Sequence, residues 1–128
     1  MSPVVLDASA LLAYLHREPG ADQVAEALAT GAVISAVNLS EALTVLGDAG
    51  EDPGRIATEV ERILDVVPFD STDAVGASEL RAATRKMGLS LGDRACLALG
   101  SRLGKPVLTA DRRWSRLRVG LDLRQIRD

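Results

Sequence analysis

The chain has 128 residues, enough for one domain with a sizeable buried core and too few for a second. It is 47% hydrophobic but only 2% aromatic, with a single Trp, Tyr and Phe, so the core must be built from Ala, Leu and Val, and base stacking on aromatic platforms is excluded as the main mode of nucleic-acid binding. The net charge of −3 conceals an asymmetry: residues 1–80 carry 3 basic and 14 acidic side chains, residues 81–128 carry 12 and 4, giving −11 and +8.

Residues 4–6 read as a short buried strand, followed directly after Asp7 by a helix over 8–15. This apolar run is interrupted by Asp7, lacks a basic leader and falls short of the ~20 residues a membrane span needs. His16, the only histidine, is expected at the surface at that helix's end. An Ala-rich helix over 21–29 is opened by Pro19-Gly20 and closed by Gly31. Residues 32–34 form a second strand, and Ser35 caps a helix over 36–49. Asp52-Pro53 is an N-cap with proline at the first helical position, predicting a helix to residue 64.

Residues 66–69 are a third apolar run, and Asp70-Ser71-Thr72 starts a long helix to Met87, ended by Gly88. Ser90 caps a helix to residue 103, with Cys96, Leu99 and Leu103 sharing its buried face. Cys96 is the only cysteine, so no intrachain disulfide can form and a reducing cytoplasm is the expected compartment. Residues 106–109 are a fourth strand, and 121–126 alternate weakly as a fifth. Strands separated by helices imply an α/β fold with a five-stranded, mainly parallel sheet covered by helices on both faces.

Four carboxylates stand beside these elements: Asp7 after the first strand, Glu41 on the helix after the second, Asp93 in the first turn of the helix after Ser90, and Asp111 after the fourth strand. Each has an ordinary role available as a helix cap or a dipole contact. Together they have another, because strand carboxyl ends and adjoining helix starts meet along one edge of a parallel sheet. Clustered carboxylates raise one another's pKa, and a hard divalent cation, Mg²⁺ or Mn²⁺, removes that penalty. Asp7-Ala8-Ser9 and Thr109-Ala110-Asp111 each place a hydroxyl two residues from a carboxylate, where it can orient it, and Asn38 shares a helix face with Glu41. The basic last third, with Arg85, Lys86, Arg112 and Arg116, is the candidate phosphate-binding surface.

The segments Val5-Leu6-Asp7-Ala8-Ser9, Val37-Asn38-Leu39-Ser40-Glu41, Leu91-Gly92-Asp93-Arg94-Ala95 and Val107-Leu108-Thr109-Ala110-Asp111 resemble the four signatures of PIN-domain ribonucleases, and the short chain is similar to VapC toxins of type II toxin-antitoxin modules. The resemblance covers nearly the whole chain. It implies a Mg²⁺- or Mn²⁺-dependent endoribonuclease in which Asp7, Glu41, Asp93 and Asp111 hold the metal and Ser9, Asn38 and Thr109 support them. It further implies a homodimer and a VapB-like antitoxin partner. That partner's tail is expected to insert an Arg near Asp7 and Asp93, with apolar tail residues on exposed helical surface around Leu11, Leu12 and Leu43. Arg112 and Arg113 stand where some relatives carry a further acid.

Other readings fit less of the chain. A PIN nuclease of RNA processing would share the same four carboxylates. A haloacid-dehalogenase-like phosphatase needs a second carboxylate where Ser9 stands, and a phosphoacceptor signalling domain needs an acidic pair after the first strand and a Lys-Pro after the last, whereas Lys105-Pro106 precedes a strand. An inert interaction domain would show no stabilisation by metal.

Overall fold

The computed structural model describes residues 3–127. Five strands, β1 (Val4–Leu6), β2 (Ala32–Ser35), β3 (Asp65–Val67), β4 (Val107–Thr109) and β5 (Leu123–Gln125), form one sheet in the order β3-β2-β1-β4-β5. Every neighbouring pair is parallel, with Leu6 opposite both Ile34 and Leu108. Chain order runs outward from β1 to β3 on one side and then returns to β4 on the other. The carboxyl ends of β1 and β4 therefore flank the point where the winding reverses, which is where parallel sheets open a crevice.

Six helices cover the sheet: α1 (Ala8–Leu15), α2 (Ala21–Thr30), α3 (Ala36–Asp48), α4 (Pro53–Glu61), α5 (Ser71–Thr84) and α6 (Leu91–Leu103). Side-chain alternation along β1 divides the core. Val4 and Leu6 join Ile34 and Leu108 against α1 to α4, whereas Val5 joins Val107 against Cys96, Leu97 and Leu99 of α6. Strands buried on both faces need the continuous apolar runs that the sequence shows. On the second face α5 is tied to α6 by the buried carboxylate of Asp73, which accepts from Arg102 Nε at 2.7 Å and Nη2 at 3.2 Å.

Most predicted elements match, with shifted boundaries. The fourth helix stops at Glu61 rather than residue 64, because the amides of Arg62 and Ile63 turn to three-residue bonds with Glu59 and Val60. The third strand begins at Asp65, which pairs with Val33, and ends before Pro68, which has no amide hydrogen for a ladder. The long helix ends at Thr84 and tightens into a 3-10 turn over Arg85–Met87. Gly20, at the start of α2, has φ +97°, and a Cβ there would collide with Ile126. Cys96 and Leu99 are fully buried, Leu103 is half-buried, and His16 is exposed at the end of α1. Among the described residues no helix is long and apolar enough to cross a membrane.

Candidate metal centre

The strand-to-helix junctions that shape the fold also place the acids. Asp7 caps α1, its Oδ1 accepting from the Ala10 amide at 2.8 Å and the Ser9 hydroxyl at 2.7 Å. Its other oxygen accepts from Thr109 Oγ1 at 2.5 Å, so the ends of β1 and β4 are joined through this one carboxylate. The lattice continues, since Ser9 Oγ accepts from the Ala110 amide at 2.9 Å and Thr109 Oγ1 from the Asp111 amide at 2.9 Å. Ser9 thus bonds the carboxylate two residues before it, as its spacing predicts, whereas Thr109 meets only the backbone amide of Asp111 and gives its hydroxyl proton to Asp7 on the neighbouring strand.

Asn38, buried on α3, donates from Nδ2 to Glu41 Oε1 at 2.8 Å and to the Gly92 carbonyl at 2.9 Å. With both acceptors on that side, the amide orientation is fixed and its Oδ1 is left buried with no partner among the described residues. Asp93 closes a reciprocal capping box with Ser90, accepting from the Ser90 amide at 3.0 Å. Asp111 caps a second 3-10 turn, Arg112–Arg116, accepting from the Arg113 amide at 2.9 Å. Capping and clustering are therefore not rival roles: the three aspartates are held at helix starts by the bonds that also aim them. Asp7, Ser9, Asn38, Glu41, Asp93 and Asp111 line one cleft of about 270 Å³, with Ala8, Leu12 and Val45 as its apolar lining.

The family model of the PIN domain matches residues 4–120 of this chain. The chain belongs to the PIN-domain family. No curated protein matches it. Among solved structures it resembles "VapBC2 from Rickettsia felis bound to a DNA fragment from their promoter", with a TM-score of 0.74 and 15% identity over 97% of this chain and 98% of the other. It also resembles DNA-bound VapBC from Salmonella typhimurium, with a TM-score of 0.72 and 19% identity over 98% and 99%. VapBC-1 from nontypeable Haemophilus influenzae gives 0.73 and 15% over 98% of each chain.

The electrostatics of this PIN-domain cleft are uneven. Burial pushes Asp7 from its ordinary 3.8 up to about 6, outweighing the hydrogen bonds from Thr109, Ala10 and Ser9, with the charge of Asp93 adding to the rise. Partial burial also raises Glu41, opposed by the Asn38 hydrogen bond and reinforced by Asp93. Asp111 moves the other way, held down chiefly by the Arg113 side chain. Among the described residues, no three His, Cys, Asp or Glu side chains are already drawn into a finished metal cage. The donor set nonetheless fits a hard cation: the four carboxylates that line the cleft offer only oxygens, and Asp7, the most buried of them, has no basic partner among the described residues.

Two site residues were not recognised as such in the sequence of this PIN domain. Gly92 is buried where a Cβ would run into the Glu41 carboxylate, so only glycine admits Glu41 to the cleft. Its signal was its place before Asp93. Arg113 lies across Asp111, and no feature of the sequence distinguished it from its neighbours. Of the four basic residues predicted to bind RNA, Arg112 and Arg116 are exposed on the turn that begins at Asp111, whereas Arg85 and Lys86 are exposed on the separate turn after α5; none lines the cleft. The expected exposed apolar surface needs correction. Leu11 is completely buried, because it faces the sheet from α1, and Leu12 and Leu43 are partly buried against the same core. Trp114 is buried in the second core and anchors the turn, so it offers no stacking surface.

Proposed function

We propose that this PIN domain is a Mg²⁺- or Mn²⁺-dependent endoribonuclease and the toxin of a toxin-antitoxin pair. The observation that carries the reading is the convergence of Asp7, Glu41, Asp93 and Asp111 on one cleft at the switch point of the sheet, with Asp7 buried and without a basic partner among the described residues. These four are the residues that would hold the ion, which when bound neutralises the phosphodiester and lowers the pKa of an attacking water.

The chain's own groups do the positioning. Thr109 and Ser9 fix both oxygens of Asp7, and Asn38 turns Glu41 toward the cleft while bracing α3 against α6. Arg112 and Arg116, on the turn that leaves Asp111, are proposed to bind RNA phosphates, and Arg85 and Lys86 to extend the contact along the basic surface.

The VapBC complexes with the same fold support a VapB-like antitoxin as the partner in the cytoplasm. A guanidinium of that partner, reaching Asp7 and Asp93, would pair with carboxylates bidentately as an ammonium cannot. Exposed Val45 and Leu91, grouped with Val37 and Phe69 beside Glu41, offer the apolar surface for a homodimer.

The test is cleavage of total RNA by the purified protein with Mn²⁺ or EDTA, followed by sequencing of the new ends. Cleavage should require the ion and disappear in Asp7→Asn, Glu41→Gln, Asp93→Asn and Asp111→Asn while each variant stays folded. Wild-type rates in two or more of them would refute the assignment.

A further inference from the structure

Two of the acids that line the cleft share a cation. Arg113 closes a fork on Asp111: Nη2 donates to Oδ2 at 2.7 Å and Nε to Oδ1 at 3.1 Å, and the same Nη2 lies 3.8 Å from Asp93 Oδ2. The guanidinium thus neutralises one proposed ligand and faces a second. Aspartate followed two residues later by arginine does not by itself produce this. Asp122 and Arg124 have the same spacing and pair at 2.8 Å, both more than half exposed, with no third charged partner among the described residues.

Two properties make the Arg113 pair exchangeable. The side chain is 54% exposed, so leaving Asp111 requires no opening of the core. The turn also survives its departure, because the Arg113 amide keeps its bond to Asp111 Oδ1 and Trp114 stays in the core. A guanidinium and a divalent ion compete for the same oxygens, and a guanidinium set free beside a nucleic acid can fork onto a phosphate.

We propose that Arg113 is a resident counter-cation of this site: it covers Asp111 and Asp93 while no divalent ion is bound, and moves to an RNA phosphate when one binds. This rests on the metal-dependent nuclease reading above. The divalent ion and Arg113 then exclude each other from Asp111, and Arg113 contributes to RNA binding only in the metal-loaded protein.

Calorimetric titration with Mn²⁺ alone tests the first half, comparing wild type with Arg113→Met and with Arg124→Met, which removes the same charge from a pair that does not line the cleft. Arg113→Met should bind Mn²⁺ roughly two- to fivefold more tightly, the range set by an exposed ion pair, and Arg124→Met should match wild type. The second half is read on a short phosphorothioate RNA that resists cleavage. Arg113→Met should lower the slope of log Kd against log salt by roughly 0.7 when Mn²⁺ is present and leave it unchanged in EDTA. Equal or weaker Mn²⁺ binding by Arg113→Met, or an equal loss of slope in EDTA, overturns the exchange while leaving the nuclease reading intact. Absence of Mn²⁺ binding by the wild type overturns the nuclease reading and this proposal with it.

Discussion

Replacing Asp7 by Asn separates what the buried acid costs the fold from what it gives the site. The carboxyl ionises near 6 in the folded chain and near 3.8 when unfolded. Because the folded value is the higher one, the folded state keeps a proton that the unfolded chain has already shed. The stability this confers is complete below 3.8 and is lost as pH rises through about 6. At about 1.36 kcal/mol per tenfold change in proton affinity, the loss amounts to about 3 kcal/mol. Asn preserves the shape, can still cap α1 through the Ala10 amide, and can donate to Thr109 Oγ1 in place of accepting from it. Unfolding by urea, followed through the fluorescence of the single buried Trp114, should be measured in EDTA from pH 4 to 8. The difference between Asp7→Asn and wild type should grow by up to about 3 kcal/mol in favour of the variant across that range, and Glu41, present in both, cancels from it. Mn²⁺ at pH 8 should then stabilise wild type and leave the variant unmoved. Parallel stability curves for the two proteins, or a variant that is the weaker one at pH 8, would refute the reasoning.

Gly92→Ala should abolish cleavage while leaving the melting temperature unchanged or slightly raised, since the added methyl displaces only the flexible end of Glu41 and Ala favours a helix over Gly by about 1 kcal/mol; full activity would show that Glu41 need not occupy the cleft. Removing charge at Arg112 and Arg116 should flatten the salt dependence of RNA binding by about 0.7 per residue, measured by fluorescence anisotropy. The same change at Arg85 and Lys86 tests whether the RNA extends to the second basic turn, and an unchanged slope there would confine it to the first.

Much of the cleft was legible in the chain because its determinants are local. A carboxylate within two residues of the end of a buried strand lies at the strand's carboxyl end whatever the rest of the fold does, and Asp7 and Asp111 are so placed. The Ser9 hydroxyl two residues after Asp7 followed from the same spacing, as did Asn38 one helical turn before Glu41. Strand and helix types came from periodicity, whereas β3 and the end of α4 shifted because pairing to β2 and the placement of Pro68, not apolar runs, set their limits. Tertiary structure alone decided the rest. The bond from Thr109 to Asp7 spans 102 residues, and the space that Gly92 leaves for Glu41 depends on how α6 packs against α3. Leu11 and Leu12 are neighbours in sequence, yet the turn of α1 buries one against the sheet and leaves the other beside the cleft. Arg113 could be counted in the sequence as one more positive charge. Only the approach of the α6 start to the turn after β4 makes it a cation shared between two acids, because a side chain's partners across the fold are fixed by packing and not by its position in the chain.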